Sequence, residues 1–202
     1  MANLTIIDSG ICNLGSISRS FERAGAKTSA ATTPEQVAQA DRLVLPGVGS
    51  FPAGMKALSE KGLVEAIRAH ASSGKPLLGV CLGMQLLFET GEEFGQSHGL
   101  GLIPGRVREL RAGNSPLPHM GWNRIESKPD NPLFEGLASE AYFYFVHSFV
   151  CEPTNAEHVI GETEYGERFC SAVRFDNLWG IQAHPEKSQR CGAKVLENFL
   201  RL

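Results

Sequence analysis

Short apolar runs alternate with segments of helical periodicity through the first half of the chain, and this rhythm limits the fold more than any other feature. Four runs have the length and composition of buried strands, at residues 4–8, 26–31, 42–45 and 77–80. Helical patterns follow them at residues 16–24, from Thr33-Pro34 onward, and at residues 55–71 and 82–89. Strands joined by helices predict an α/β fold with a parallel sheet covered on both faces.

The rhythm changes after Gly91, where short extended runs follow one another without helices between them. They lie at residues 106–110, 122–126, 141–150, 158–163, 169–175 and 178–183. Such runs are typical of antiparallel additions and edge strands, and an amphipathic helix over residues 191–200 closes the sheet. We expect a central, mostly parallel sheet flanked by helices with an antiparallel extension, built by residues 1–202 as a single domain.

The charge balance gives no indication of a polyanionic partner. Nineteen Lys plus Arg oppose 22 Asp plus Glu, a net charge of -3, so we expect neither nucleic acid nor an anionic membrane as partner. A basic leader and a run of roughly 18 apolar residues are both missing, which predicts a cytoplasmic protein with a small substrate. The five cysteines are scattered without zinc-ligand spacing, so we expect no disulfide framework, no metal and no cofactor.

One cysteine stands in an unusual setting. Residues 79–85 read GVCLGMQ and place Cys81 between two glycines where a buried strand turns into a helix. This pattern has the logic of the G-x-S-x-G nucleophile elbow, and amides at the helix N-terminus favour the reactive thiolate. Gln85 lies four residues further on, hence on the same helix face. A cysteine in an apolar run is as often an inert core residue, so the pattern needs partners.

Two further segments supply those partners. His184 and Glu186 follow the last predicted strand, where the imidazole would take the proton of Cys81 and the carboxylate would orient the ring. Residues 46–49, PGVG, end the strand expected beside that of Cys81. Their glycines free the backbone to direct N–H groups at a ligand. We expect the amide of Leu82 and that of Val48 or Gly49 to form an oxyanion hole.

These three segments, in this order on an α/β chain, resemble the class I (triad) glutamine amidotransferases, and the similarity runs from Leu4 to about Phe199. Residues 118–123 (PHMGWN), 144–149 (YFVHSF) and 184–188 (HPEKS) are similar to the glutaminase subunits of imidazole glycerol phosphate synthase. The resemblance implies a flavodoxin-like fold in which Cys81 attacks the side-chain amide of glutamine. It also implies a set of glutamine contacts, namely Gly47, Gln85, Glu93 and the backbone of Ser148 and Phe149.

The same resemblance implies a partner that receives the ammonia, a (β/α)8 cyclase subunit of the histidine pathway. The candidate docking residues are Asn13, Trp122, Asn123 and Lys187. In the family, glutaminase activity is low until the partner binds its substrate, and we place the switch in residues 47–49, where a peptide flip would complete the oxyanion hole.

Departures from the family pattern leave alternatives open. Ser9 and Cys12 stand where the family has Tyr and Gly, and Ala183 stands where it has Phe. One alternative is a paralogous glutaminase that feeds a related barrel in surface-sugar amidination. Others are a stand-alone γ-glutamyl hydrolase, the glutaminase of pyridoxal phosphate synthesis, and a catalytically silent docking subunit. Residues 119–123 argue against the second and third, and an intact Cys81, His184 and Glu186 against the last.

Overall fold

A computed structural model describes residues 2–202. Its strands are β1 Ala2–Ile7, β2 Ala26–Ala31, β3 Leu43–Gly47, β4 Leu77–Cys81, β5 Phe88–Gly91, β6 Ser97–His98, β7 Ile103–Glu109, β8 His119–Ser127, β9 Glu140–His147, β10 Phe149–Pro153, β11 Val159–Tyr165, β12 Glu167–Phe175 and β13 Leu178–Ile181. Its helices are α1 Leu14–Arg23, α2 Pro34–Ala38, α3 Phe51–Glu60, α4 Leu63–Ser72, α5 Leu82–Leu86 and α6 Gln189–Phe199. Three short 3-10 helices lie at Pro132–Phe134, Ala156–His158 and Pro185–Lys187.

The strands form one mixed sheet whose parallel part has the order β2-β1-β3-β4-β13. From β13 the sheet continues through antiparallel β12 and β10 to β7, β5 and β6, while β11, β8 and β9 branch from β12. The expected α/β class, with a mostly parallel centre and an antiparallel extension, is confirmed. Because β3, β4 and β13 are parallel neighbours, their carboxyl ends meet at one edge of the sheet.

Helices cover both faces of the parallel strands, as the buried side chains show. On one face α1 and α6 pack together through Phe21 and Phe199, whose ring centroids are 6.3 Å apart. On the other face the buried cluster includes Leu58 of α3 and Ile67 of α4. The sequence sets where α1 begins, because the Asn13 side chain accepts a hydrogen bond from the backbone N–H of Ser16 at 3.2 Å.

Three predicted elements differ from the observed ones. The single helix expected at residues 55–71 is two helices, α3 and α4, because Gly62 between them adopts a left-handed conformation at φ 66°. The helix expected at residues 82–89 ends at Leu86, and Phe88–Gly91 forms β5. The run at residues 141–150 is two strands, β9 and β10, separated at Ser148. In each case apolar periodicity marked the segment but not its interruption.

Among residues 2–202, no helix has the length and apolar character needed to cross a membrane. Within the same range, no group of three or more His, Cys, Asp or Glu side chains is arranged to hold a metal ion. The single-domain organisation of residues 1–202 and the cytoplasmic location stay predictions.

Candidate active site

Cys81 lies on a strained turn at the carboxyl edge of the sheet. It ends β4 and precedes α5 with φ 54° and ψ -113°, a conformation that non-glycine residues rarely adopt. The flanking glycines allow this turn to close. A Cβ atom on Gly83 would lie 1.7 Å from the Leu45 carbonyl oxygen, and one on Gly79 would lie 2.7 Å from Met84 Cα. The elbow predicted from the sequence is therefore present in the backbone.

Three other cysteines, Cys12, Cys151 and Cys170, are poor nucleophiles. Burial is the main cause that raises the pKa of Cys12 and Cys151, and it raises that of Cys170 to about 12. Their thiols therefore stay protonated near neutral pH. Cys81 differs in its surroundings, since its Sγ lies 4.0 Å from the Val146 carbonyl oxygen and 3.8 Å from Gln182 Nε2.

His184 is fixed in place from both sides. Its backbone N–H donates to the Tyr144 carbonyl oxygen at 2.8 Å, and its Nδ1 lies 2.8 Å from Glu186 Oε1. Burial lowers the pKa of His184, but the neighbouring Cys81 side chain and the Glu186 carboxylate more than offset this effect and raise the pKa to about 10. Nε2 is buried and makes no hydrogen bond to any described residue. The ring thus presents an uncommitted nitrogen on the side opposite its carboxylate.

A cavity of about 260 Å³ joins Cys81 to His184. Most residues expected from the sequence line it, and the full lining is Val48, Gly49, Cys81, Leu82, Gln85, Glu93, Pro118, Val146, His147, Ser148, Phe149 and His184. A larger depression of about 770 Å³, walled by residues 127–139, contains no cysteine or histidine and so offers no nucleophile. The smaller cavity is the candidate active site.

Two polar side chains of the cavity, Glu93 and Gln85, already make hydrogen bonds within the protein. Glu93 Oε2 accepts a hydrogen bond from the Phe51 backbone N–H at 2.8 Å. Gln85 Nε2 donates to the Phe149 carbonyl oxygen and to Gln182 Oε1, both at 3.0 Å. Since an amide nitrogen has two protons, only Oε1 of Gln85 is left for a ligand, and it can only accept.

The expected oxyanion hole is incomplete in this conformation. The Val48 N–H donates to the Ile11 carbonyl oxygen at 3.0 Å and does not serve the cavity. Gly49 follows with φ 94°, a conformation that favours glycine. Leu82 opens α5, and the first N–H groups of a helix have no partner within the helix. The role of Val48 in the oxyanion hole, for which a peptide flip is expected, stays a prediction, and Val48, Gly49 and Leu82 all line the cavity.

Gly47 lies elsewhere than expected for a glutamine contact. It lines a separate small cavity of about 30 Å³ behind the catalytic side chains, together with Asn13, His184, Glu186 and Lys187. A Cβ on Gly47 would lie 3.1 Å from Leu82 Cβ, so close packing explains the glycine. The expected docking residues Asn13 and Lys187 thus meet at the outer side of this second cavity. Lys187 Nζ lies 5.6 Å from the centre of the Tyr144 ring.

The two other expected docking residues lie on opposite faces of β8. Trp122 is 48% exposed and shares its face with the exposed Met120 and, across the strand pair, Tyr142. Asn123 points the other way, where Nδ2 donates to the Glu164 carbonyl oxygen at 2.9 Å and its Oδ1 accepts from the Arg124 N–H. These hydrogen bonds hold the Asn123 amide against the sheet, and its docking role stays a prediction.

Sequence reasoning missed Gln182 and assigned no role to His147. His147 lines the cavity, and Gln182 contacts the sulfur of Cys81. The local sequence carried no signal for Gln182, because it lies just beyond the end of β13 and its contact with Cys81 joins residues 101 positions apart. A fully buried glutamine directly after an apolar strand requires an explanation.

The comparisons with known proteins agree with this geometry. The family model of glutamine amidotransferase class-I matches residues 5–202. An imidazole glycerol phosphate synthase subunit HisH from Sulfurimonas denitrificans is 48% identical over 202 residues, covering 98% of this chain and 97% of the relative. A subunit of the same name from Vibrio cholerae is 44% identical over 205 residues, covering 99% of this chain and 98% of the relative.

A solved structure, PurLQS from Thermotoga maritima, matches with a TM-score of 0.78 and 17% identity, covering 100% of this chain and 99% of that chain. At this identity the likeness shows the fold alone. The two sequence relatives are nearly half identical to this chain over almost their full length, and such similarity shows the family as well as the fold. The chain therefore belongs to the class-I glutamine amidotransferases and, within them, to the HisH subunits of imidazole glycerol phosphate synthase.

Proposed function

We propose that this chain hydrolyses glutamine to glutamate and ammonia, with Cys81 as nucleophile, and passes the ammonia to a cyclase subunit during histidine biosynthesis. The observation that carries the proposal is the position of Cys81 on a strained elbow in the same cavity as His184, whose Nε2 is uncommitted and whose Nδ1 is held by Glu186. A nucleophile, a base and an orienting acid are what amide hydrolysis requires.

The reaction has two halves. The Cys81 sulfur attacks the carboxamide carbon of glutamine and forms a tetrahedral oxyanion. Protonated His184 gives its proton to the departing nitrogen, so ammonia leaves and a glutamyl thioester remains. His184 then takes a proton from water, whose oxygen attacks the thioester, and glutamate leaves as the sulfur is released. The raised pKa of His184 keeps the ring protonated beside the thiolate before the first step.

Glutamine is held by both ends. Glu93 and the free Oε1 of Gln85 are acceptors, which suits the α-amino group. The backbone of Ser148 and Phe149 also lines the cavity. A volume of about 260 Å³ fits a substrate of amino-acid size rather than a nucleotide.

The hydrogen bond from Val48 to Ile11 keeps the isolated chain poorly active. The Gly47–Val48 peptide must rotate before the Val48 N–H faces an oxyanion, and this rotation breaks that hydrogen bond. Ile11 belongs to the same loop as Asn13, a docking candidate. Docking at this loop is thus positioned to shift the population toward the completed oxyanion hole.

The partner is a (β/α)8 cyclase, and it covers the face that carries Trp122, Asn13 and Lys187. Met120, Trp122 and Tyr142 expose apolar surface on one face of β8 and β9, a composition common at protein interfaces. The small cavity behind His184 has room for one molecule of the size of ammonia and lies between the triad and Asn13. The proposal places both subunits in the cytoplasm.

The surface-sugar paralogue is not favoured, because the relatives named above are subunits of imidazole glycerol phosphate synthase over nearly their full length. A silent docking subunit would not need the His184–Glu186 pair beside Cys81. Labelling with a glutamine-like electrophile tests the second alternative directly. A single adduct on Cys81 agrees with the glutaminase, whereas an unlabelled Cys81 agrees with a silent subunit.

The decisive experiment measures glutamate from glutamine with the chain alone, with a cyclase, and with the cyclase plus its nucleotide substrate. We expect the last mixture to give by far the most glutamate. The Cys81→Ala variant should make none while the cyclase still works with supplied ammonia. Cys191→Ala, a half-buried cysteine on α6, is the matched control and should keep full activity. Glutamate formation that ignores the cyclase would overturn the partner assignment.

A further inference from the structure

A buried chain of hydrogen bonds with a fixed direction ends at the sulfur of Cys81. Its starting point is the Phe149 carbonyl oxygen, which can only accept. Gln85 Nε2 and His147 Nδ1 each lie 3.0 Å from this oxygen, so both atoms must be donors. The Phe149 carbonyl therefore fixes which end of the Gln85 amide is the nitrogen and which is the oxygen.

The second proton of Gln85 Nε2 fixes the next amide. It is directed at Gln182 Oε1, 3.0 Å away, and this contact leaves Gln182 Nε2 as the atom that faces Cys81 Sγ at 3.8 Å. The backbone N–H of Gln182 is occupied separately by the Ser171 carbonyl oxygen at 2.8 Å. The side chain thus has one orientation, with a donor toward the sulfur.

The position of Gln182 is costly for a polar side chain. It is fully buried, and its neighbours Ile181 and Ala183 are fully buried as well. An amide in such surroundings destabilises the fold unless it is hydrogen bonded. An apolar residue would fill this position, directly after β13, without that cost. Gln182 does not line the 260 Å³ cavity, so it does not act by touching the substrate.

We propose that Gln182 is a positioning residue, whose side-chain N–H directs the Cys81 sulfur toward the cavity and stabilises its negative charge, while Gln85 holds the amide in the required orientation. This inference rests on the proposed role of Cys81 as nucleophile. A hydrogen bond to a charged acceptor is stronger than one to a neutral acceptor, so Gln182 favours the thiolate over the thiol. It assists the chemistry through Cys81 and not through glutamine.

Two substitutions separate this role from simple packing. Gln182→Met keeps the length of the side chain and removes the donor toward Cys81. Gln182→Glu keeps an acceptor for Gln85 but places an oxygen against the sulfur. We expect kcat to fall about tenfold in the first variant and about a hundredfold in the second, with KM within about twofold of the wild type in the second.

The decisive measurement is how the rate of Cys81 alkylation by iodoacetamide depends on pH, because a residue that only fills space would not change this dependence. We expect this profile to shift to higher pH in both variants. Ser171→Ala is the matched control, because Ser171 is equally buried on the neighbouring strand and its hydroxyl contacts Thr163 instead of the sulfur. Wild-type profiles and kcat values in both Gln182 variants would overturn the inference.

A measurement on the intact wild-type chain covers the case in which a variant fails to fold. In the ¹⁵N-labelled chain bound to the cyclase, we expect the side-chain amide signals of Gln182 to move when Cys81 is alkylated, and those of exposed Gln39 to stay. Unmoved Gln182 signals would count against the contact. Absence of glutamate from the wild-type complex would instead overturn the proposed function, whatever the alkylation profiles show.

Discussion

His119 Nδ1 lies 3.0 Å from His147 Nε2 in the interior of the protein. His147 Nδ1 faces the Phe149 carbonyl oxygen and must carry a proton, so its Nε2 accepts and His119 Nδ1 donates. Asn123 Nδ2 lies 3.2 Å from His119 Nε2 and completes the chain as donor. Both rings are therefore neutral. The hydrogen bonds connect Asn123 on β8 to His147, which lines the active-site cavity.

Burial and neutrality of this pair predict a loss of stability in mild acid. Burial lowers the pKa of His119 to about 4, and burial together with repulsion from a protonated His119 lowers that of His147 to about 3. The unfolded chain binds these protons near pH 6.5, so the stabilisation is complete above that pH and is lost as pH falls toward 4. We expect the free energy of unfolding in urea to drop by about 3 kcal/mol between pH 6.5 and 5, with each ring contributing about half.

The variant His119→Asn checks the source of this pH dependence. It removes one of the two titrating rings, so the slope of stability against pH over the same interval should be smaller than in the wild type. Keeping the interval above pH 5 limits the contribution of carboxylates such as Glu167, whose pKa is already lowered. An unchanged slope would show that the proton uptake occurs elsewhere.

Glu186→Gln should damage catalysis without disturbing the cavity. The neutral amide removes the charge that stabilises the protonated His184 ring, whichever of its two terminal atoms faces Nδ1. We expect kcat to fall by roughly a hundredfold or more while KM changes little, measured as glutamate release in the presence of the cyclase and its nucleotide. The half-buried Glu197 on α6 provides the control, Glu197→Gln, for which activity should be retained.

Gly83→Ala should prevent the elbow from closing. The added methyl group would lie 1.7 Å from the Leu45 carbonyl oxygen, a backbone atom that cannot move aside cheaply. We expect a loss of more than about 3 kcal/mol in the free energy of unfolding, together with loss of glutaminase activity. At Gly15 the same change meets only the mobile end of Arg19, so Gly15→Ala should remain stable. A stable, active Gly83→Ala variant would refute this account of the turn.

Two ion pairs differ in burial and should therefore differ in their contribution to the free energy of unfolding. Arg108 Nη2 lies 3.0 Å from Glu167 Oε2, with side chains only 12% and 19% exposed. Arg124 and Glu140 are joined by a single contact of 2.7 Å at 46% and 54% exposure. We expect Glu167→Ala to destabilise the protein by about 2 kcal/mol and Glu140→Ala by less than about 1 kcal/mol, by urea unfolding. Equal effects would show that burial does not control these pairs.

Trp122→Ala should weaken cyclase binding without changing the fold. Its exposed ring packs edge-on against Tyr144 at 6.1 Å between centroids and is available to a partner. Loss of a central aromatic contact typically costs about 2 kcal/mol or more, so we expect the Kd measured by calorimetry to rise about thirtyfold. Val64→Ala, on α4, is the control. An unchanged Kd for Trp122→Ala would place the cyclase on another surface.

The sequence by itself determined the fold class and the chemistry of the site. Apolar runs joined by helical segments predicted the parallel centre of the sheet, because each pattern depends only on local periodicity. The spacing around Cys81 predicted a strand, a tight turn and a helix, and the residues 184–186 supplied a base and an acid. Local signals were sufficient here because neighbours in the chain are also neighbours in space.

Only the tertiary structure decided which residues meet across strands. The direction of the chain through Gln85 and Gln182 depends on the carbonyl of Phe149, a residue far away in the sequence. The same is true of Val48, whose N–H is occupied by Ile11. Periodicity gives the face on which a side chain lies but not its partner, since partners follow from strand order and register. That is why Cys81 was recognisable as a nucleophile in the sequence, whereas Gln182, which faces its sulfur, was not.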